Sequence, residues 1–139
     1  MKIISETGSH FDLQDEGALA LLNGVLAKPL FAHLATASDR GPRESPVWFL
    51  WEGEELWIIG NAITDTFPKR IREDARCAVG IVDFDVASGL VHHVGMRGVA
   101  TIEPHDRDRS ERLFSRYMGH RSQWVRIGDP IVNDVPYSG

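Results

Sequence analysis

The amino-acid sequence predicts a mainly β fold: an antiparallel, Greek-key-like barrel that is closed or nearly closed and flanked by helices. Three observations predict it. Five short segments are apolar and rich in β-branched or aromatic residues, turn residues separate them, and only three segments have a helical period. Because so many strands in a chain of 139 residues would otherwise expose sheet edges, we expect closure. The length fits a single domain, residues 1–139.

The first elements are an arm and a helix. Residues 1–14 have no clear period, so we predict an irregular N-terminal arm. A helix then begins at Asp15, which can cap it, and ends at Lys28-Pro29, because a residue before proline avoids the helical conformation. Its apolar residues fall on one stripe: Leu19, Leu22, Val25 and Leu26.

Three strands are predicted next, over residues 30–36, 44–51 and 56–59. The turn between the first two contains Gly41, which can adopt a positive φ, and residues 52–54 form the second turn. Short connections of this kind predict an antiparallel meander.

The second half of the chain repeats strand and helix signals. Residues 64–74 form a short helix with Pro68 in its first turn and Asp65 or Thr66 as its cap. Residues 78–84 and 90–102 are strands, and glycines 95 and 98 suggest a bulge or a sharp bend. A helix over 106–118 has Leu113, Phe114 and Tyr117 on its apolar face and ends at Gly119, and residues 120–139 are predicted to be irregular.

Composition excludes several classes of function. The net charge of -5 disfavours a nucleic-acid partner. The single cysteine, Cys77, allows neither an intramolecular disulfide nor a multi-cysteine zinc site, and its apolar neighbours indicate a buried, inert thiol. Neither a signal peptide nor a membrane-spanning apolar run is evident, so a cytoplasmic location away from membranes is the simplest expectation.

The order of the short motifs is more specific than any of them alone. A leading helix runs into Lys28–Thr36, and the hairpin Asp39-x-Gly41-Pro42 leads into the strand Ser45–Phe49. Further motifs follow at residues 56–61, 72–76 and 91–100. Over residues 15–120 this order resembles the pyridoxamine 5'-phosphate oxidase-like family of FMN-binding split β-barrels.

The resemblance implies a homodimer with FMN at the subunit interface and a small organic molecule as substrate. The flavin ring would pack against the strand formed by Ser45, Pro46, Val47, Trp48 and Phe49. The ribityl-phosphate would lie near Ile59, Gly60 and Asn61 and near the start of the short helix. His93 matches a position where a polar residue contacts the flavin ring, and an imidazole can donate or accept that hydrogen bond.

The sequence departs from the family pattern at the phosphate. The positions of the family's arginine and lysine are occupied by Thr66 and Phe67, and the nearest cations, Lys69 and Arg70, are displaced by two to three residues. Either these two side chains bind the phosphate, or the site is weaker than in the family. Arg70, Arg72 and Arg76 are equally explained as a phosphate site or as the solvated face of a short helix. No match to the oxidases' substrate-binding residues precedes Gly139, so oxidation of pyridoxamine phosphate itself is not expected.

Several single motifs have a simpler structural explanation. His92 and His93 are adjacent on a strand and point to opposite faces, so they cannot chelate one metal ion, and no metal site is predicted. Trp48 and Trp57 are better explained by cross-strand packing than by base stacking. Asp83 and Asp85 are better explained by the end of a strand than by acid–base catalysis. The sequence thus predicts an FMN-dependent oxidoreductase with no assigned catalytic acid or base. A deazaflavin-dependent reductase and a non-catalytic flavin or haem carrier remain the alternatives.

Overall fold

The computed structural model describes residues 2–5, 16–61 and 65–119. Seven strands and three helices follow one another in it: β1 (Lys2–Ser5), α1 (Glu16–Leu26), β2 (Ala32–Thr36), β3 (Arg43–Val47), β4 (Leu50–Glu52), β5 (Glu55–Trp57), α2 (Phe67–Glu73), β6 (Arg76–Phe84), β7 (Val91–Thr101) and α3 (Arg107–Met118). The three predicted helices are confirmed, and so are the strands predicted around residues 78–84 and 90–102.

The strands form one antiparallel sheet in the order β3-β2-β6-β7-β1-β5-β4. Its two edge strands, β3 and β4, are consecutive in the chain and are joined by Trp48 and Phe49. No ladder connects them among the described residues, so the sheet does not close into the predicted barrel. The mainly β, antiparallel architecture with flanking helices is confirmed.

The prediction of one strand over residues 44–51, and of a continuous meander, is wrong. The chain leaves the ladder at Trp48, where the backbone N–H of Phe49 donates a hydrogen bond to the Tyr117 hydroxyl (3.0 Å) rather than to a neighbouring strand. β3 therefore pairs with β2, whereas β4 pairs with β5. The apolar run continues through the break because it stays buried, with Phe49 fully enclosed.

The predicted N-terminal arm is wrong at Lys2–Ser5. This segment is a central strand that pairs with β7 through all of its residues and with β5 through Lys2 and Ile3. Four residues are too few to show a period, and the pairing depends on partners far away in the sequence. The remainder of the predicted arm, Asp15 as a helix cap, and the irregular segment 120–139 lie outside the described residues.

The β6–β7 ladder is the longest in the sheet. Its register runs without interruption from Arg76 opposite Val99 to Phe84 opposite Val91, so the bulge suggested by the glycines is absent. Gly80 instead lies directly opposite Gly95 in this ladder. Cys77 is buried, as predicted, with its sulfur 3.7 Å from the carbonyl oxygen of Gly98.

Two clusters of apolar side chains hold the elements together. In the larger cluster, Leu22, Val25 and Leu26 of α1 pack against the inner residues of the sheet, including Leu34 and Ile81. In the smaller cluster, Leu113 and Phe114 of α3 pack against Leu50. Asp106 caps α3 through the backbone N–H of Arg109 (3.1 Å), and Gly119 ends it with φ 75°. No helix in the described part of the chain is long and apolar enough to cross a membrane.

Candidate functional site

Helix α2 positions Arg70 at the edge of the sheet. Pro68 lies in the first turn, as predicted, and the buried side chains of Phe67, Pro68 and Ile71 fasten the helix to the core. Thr66 occupies the N-cap position, but its side chain makes no capping hydrogen bond. Instead its hydroxyl accepts a hydrogen bond from Arg70, one turn further along the helix.

The guanidinium of Arg70 is surrounded by three hydroxyl groups. Its Nε donates to Thr36 Oγ1 (2.7 Å), its Nη1 to Thr66 Oγ1 (2.7 Å) and its Nη2 to Ser45 Oγ (3.2 Å). Thr36 ends β2 and Ser45 lies in β3, so three separate elements meet at this cation. We refer to these four residues as the Arg70 cluster.

The Arg70 cluster carries positive charge with no counter-ion among the described residues. No carboxylate within the described residues pairs with Arg70, whose hydrogen-bond partners there are all neutral. Burial lowers the pKa of Arg70 from its usual value, and the like charge of Arg43 lowers it further. Both effects mean that the protein disfavours this charge as it stands, so an anion bound here would be favourable.

The geometry suits an oxyanion such as a phosphate. A guanidinium has five N–H donors, of which the three hydroxyls use three, and each hydroxyl that accepts from Arg70 keeps its own O–H to donate. Donors from a planar cation and from hydroxyls on two strands therefore converge at one place. Hydrogen bonds from charged donors to phosphate are among the stronger ones in proteins.

The other predicted phosphate residues have different surroundings. Phe67, at the family's lysine position, is buried and packs against Gly60, where a Cβ atom would lie 2.7 Å from Phe67 Cζ. Asn61 is buried, and its backbone N–H donates to Asp65 Oδ2 (2.6 Å). Lys69 is exposed, as is Arg72. Arg76 is held at Asp74 by a hydrogen bond of 2.7 Å.

The predicted ring-binding strand is divided between core and surface. Val47 and Phe49 are buried in the core, whereas Ser45 joins the Arg70 cluster and Pro46 is exposed on the opposite side of β3. Trp48 is half-buried and stacks on Tyr117, with ring centroids 4.6 Å apart and an angle of 3° between the planes. Ile59 packs at the smaller apolar cluster.

The tryptophans do not pack as expected. The stacking partner of Trp48 is Tyr117 in α3, and Trp57 lies under the guanidinium of Arg109, 3.5 Å from the ring centroid. Both tryptophans pack against the smaller apolar cluster. Their partners lie in α3, however, and not in a neighbouring strand.

His93 lies away from the Arg70 cluster, on the other face of the sheet. It is exposed in an open groove of about 440 Å3, where its ring rests over Gly80 and Gly95. His92 points to the opposite face, with Nδ1 4.0 Å from Asp83 Oδ2. The two imidazoles point to opposite faces, as predicted, and cannot act on one ion. No group of three metal-binding side chains is found in the described part of the chain.

Sequence reasoning missed two members of the site. Thr36 and Arg43 are directly opposite each other in the β2–β3 ladder, one accepting from Arg70 and the other repelling it. A correct hairpin register would have placed them together, because the turn at residues 38–41 fixes which residues face each other.

Comparison with protein-family models and with curated protein sequences finds no match. Solved structures do share the fold. An F420 reductase aligns over 84% of this chain and 93% of its own, with 22% identity and a TM-score of 0.61. A conserved hypothetical protein, Rv2991, from Mycobacterium tuberculosis aligns over 82% of this chain and 73% of its own, with 22% identity and a TM-score of 0.62.

A third structure with this fold is an FAD- and haem-binding protein from Mycobacterium smegmatis, with 20% identity and a TM-score of 0.55. The alignment covers 74% of this chain but only 55% of that protein. Two of these three structures are thus named for a flavin or deazaflavin cofactor, and at these identities the likeness concerns the fold.

Proposed function

We propose that this protein is a flavin-type oxidoreductase of the pyridoxamine 5'-phosphate oxidase-like kind, which binds its cofactor by the phosphate at the Arg70 cluster and acts on a small organic molecule as a homodimer. The observation that carries the proposal is the half-buried guanidinium of Arg70 among three hydroxyls, with no carboxylate partner in the part of the chain that the structure describes. An anion is the ligand that this arrangement favours, and both FMN and the deazaflavin F420 contain a phosphate group.

The similar structures support two candidate cofactors. The F420 reductase matches along nearly its whole length, which favours a deazaflavin. FMN, which the sequence resemblance implies, is the second candidate. The FAD- and haem-binding protein supports a flavin more generally, over a smaller part of its length.

The chain's own residues would orient the cofactor rather than perform the chemistry. When bound, a flavin or deazaflavin supplies hydride transfer, and the protein contributes position and hydrogen bonds. Arg70, Thr36, Ser45 and Thr66 would hold the phosphate, and exposed Lys69 would add positive charge nearby. The ring would extend along β3 towards Trp48.

Replacing Arg70 with alanine tests this assignment. We expect Arg70→Ala to weaken binding of F420 or FMN by about 10- to 100-fold, because a hydrogen bond to a charged group contributes roughly 1.5–3 kcal/mol. Binding is measured by fluorescence titration of the purified protein. Arg72→Ala is the matched control, since Arg72 lies on the same helix and carries the same charge but is exposed.

Riboflavin, which lacks the phosphate, separates the phosphate from the ring. Its affinity should be the same for the native protein and for Arg70→Ala. Equal FMN or F420 affinity in native protein and Arg70→Ala would contradict the phosphate assignment, and failure of all three compounds to bind would contradict the proposed function.

The carrier alternative is tested in the same preparations. The FAD- and haem-binding protein of the same fold is the observation that favours it. A Soret band on titration with haem, together with no turnover when the flavin-loaded protein is mixed with reductant and acceptor, would favour a carrier over an oxidoreductase.

A further inference from the structure

A second arginine lies beside the Arg70 cluster. Arg43 begins β3 directly opposite Thr36 in the β2–β3 ladder, and Ser45 follows it two residues later. Directly opposite side chains, and side chains two residues apart on a strand, lie on the same face of a sheet. Arg43 therefore lies on the face where Thr36 and Ser45 accept hydrogen bonds from Arg70. The pKa of Arg70 agrees with this placement, because it is lowered by burial and further by the charge of Arg43.

Neither guanidinium has a counter-ion in the part of the chain that the structure describes. No ion pair there includes Arg43 or Arg70. The neighbouring acid, Glu44, lies on the opposite side of β3, where its Oε1 is 2.6 Å from His33 Nδ1. Two adjacent like charges repel each other, and an anion bound beside both of them would replace this repulsion with attraction.

The amount of charge indicates the class of anion. A phosphate monoester has a charge of about −1.5 to −2 at pH 7, since its second pKa is about 6, and it has three oxygen atoms that accept hydrogen bonds. A phosphodiester has a single negative charge and only two such oxygens. Two guanidinium groups, together with the hydroxyls of Thr36, Ser45 and Thr66, suit the charge and the oxygen atoms of the monoester. The phosphate of FMN is a monoester, whereas that of F420 is a diester.

We propose that Arg43 is a second phosphate ligand of this protein, and that Arg43 and Arg70 together select a phosphate monoester in its doubly charged form. The inference rests on the proposed function, because it specifies the class of phosphate that the Arg70 cluster binds. It makes FMN the preferred one of the two candidate cofactors. Arg43 is exposed and belongs to an edge strand of the described sheet, so it is accessible to an anion that enters from solvent.

The ionisable groups around the site leave the ligand as the group that titrates near neutral pH. Besides arginines, the ionisable side chains that adjoin the site in the chain or in the sheet, on its own face, are those of Asp39, Asp65, Lys69 and Cys77. Side chains of these types, like guanidinium groups, keep one predominant protonation state between about pH 5 and about pH 7.5. His33 lies on the opposite side of β2 from Thr36. A change in affinity over this range is therefore expected from the phosphate itself.

Three compounds with the same ring system test the selection: FMN, riboflavin cyclic phosphate and riboflavin. The first contains a monoester, the second a diester with one negative charge, and the third has no phosphate. Fluorescence titration at about pH 7.5 should give an affinity for FMN that is at least about tenfold higher than that for the cyclic phosphate. At about pH 5 only about one-tenth of the FMN is doubly charged, so its affinity should fall by about tenfold. The affinities of the other two compounds should not change.

Replacing Arg43 with glutamine tests the role of this residue. Arg43→Gln should weaken FMN binding at about pH 7.5 by about tenfold, leave riboflavin binding unchanged, and remove the preference for FMN over the cyclic phosphate. Arg107→Gln, at an exposed arginine of α3, is the matched control and should bind all three compounds like the native protein. Without ligand, Arg43→Gln should unfold at the same temperature as the native protein or at a higher one, because it removes a like charge beside Arg70.

Each result can be assigned to the inference or to the proposed function. Equal affinities of the native protein for FMN and the cyclic phosphate, or unweakened FMN binding by Arg43→Gln, would overturn the inference. Binding of F420 but not of FMN would also overturn it, and the proposed function would stand. If neither F420 nor any flavin binds, the proposed function is contradicted. Thermal stabilisation by inorganic phosphate that is lost in both Arg43→Gln and Arg70→Ala would then still support the two-arginine site, and its absence would overturn the inference as well.

Discussion

At the scale of single residues, Gly60 and Phe67 show why the structure has a buried aromatic ring at position 67. A Cβ atom at position 60 would lie 2.7 and 2.9 Å from two ring atoms of Phe67 and 3.1 Å from Pro68 Cγ. Because Gly60 has no side chain, the Phe67 ring can occupy this space in the core. A lysine at position 67 would lose this packing, whereas the guanidinium of Arg70 is accommodated by hydrogen bonds to hydroxyls of β2 and β3.

Replacing Gly60 with alanine should therefore destabilise the protein. The surroundings are buried and cannot yield without shifting α2, so we expect the free energy of unfolding to fall by about 1–3 kcal/mol, the usual range for an overpacked core. Urea denaturation followed by tryptophan fluorescence measures the change. Gly24→Ala is the matched control.

The control should change in the opposite direction. Gly24 lies within α1 with nothing within 4 Å of an added Cβ, so alanine should stabilise the helix by up to about 1 kcal/mol. If Gly60→Ala were as stable as Gly24→Ala, that result would contradict the close packing of α2 on Gly60. The double variant Gly60→Ala with Phe67→Leu should recover part of the loss if the clash is with the ring.

At the scale of elements, α3 stabilises two connections by hydrogen bonds, the one between α1 and β2 and the one between β3 and β4. Arg116 donates from Nη2 to the carbonyl of Leu26 (2.9 Å) and from Nη1 to that of Ala27 (3.3 Å), so it satisfies the last turn of α1. Tyr117 donates to the carbonyl of Leu30 (2.6 Å) and accepts from Phe49 at the switch between β3 and β4. One helical turn thus bridges the α1–β2 and β3–β4 connections.

Tyr117→Phe should keep the stacking on Trp48 but leave two backbone groups without their partner. We expect the free energy of unfolding to fall by about 1–3 kcal/mol, the usual cost of an unsatisfied buried polar group. Chemical denaturation at neutral pH measures it. Ser88→Ala removes a hydroxyl that donates to Asp85 at the surface, and it should change stability by less than about 0.5 kcal/mol.

The same variant should alter the response to alkali. Burial raises the pKa of Tyr117 above its ordinary value of 10.0, so the fold favours the neutral phenol. Its contribution to stability is fully present below the unfolded pKa and is lost as the pH rises through the folded one. The stability difference between native protein and Tyr117→Phe should therefore stay constant below the ordinary pKa of 10.0 and shrink as the pH rises above it. An unchanged difference would contradict the role of the hydroxyl.

These elements also show which features of the fold can be predicted from the sequence. The helix around residues 106–118 was predicted with its apolar face and its final glycine, because both signals are local. The break at Trp48 and Phe49 was not, because nothing in an apolar run shows that a backbone N–H bonds to a tyrosine 68 residues away. For the site, the sequence indicated Ser45, Thr66 and Arg70 separately, while only the strand register brings Thr36 to them.

At the scale of the whole molecule, β1 joins two parts of the sheet. It lies between β7 and β5, and without it the order would be divided into β3-β2-β6-β7 and the short β5-β4 hairpin. An isolated two-stranded hairpin is marginal in water, so the second part depends on this strand for its stability. The sequence signal for β1 is weak although its structural role is central, since all four of its residues pair with β7 and Lys2 and Ile3 pair with β5 as well.

Proline in this strand should be poorly tolerated. Ile3 pairs with Ala100 on one side and Leu56 on the other, so Ile3→Pro removes a ladder hydrogen bond in the middle of the sheet whichever neighbour its N–H faces. We expect a loss of about 3 kcal/mol or more in the free energy of unfolding, measured by thermal and chemical denaturation. Asp39→Pro, at the second position of the turn that Ser38 and Gly41 close, is the control, because proline suits that position. Equal stability of the two variants would mean that β1 does not hold the two parts of the sheet together.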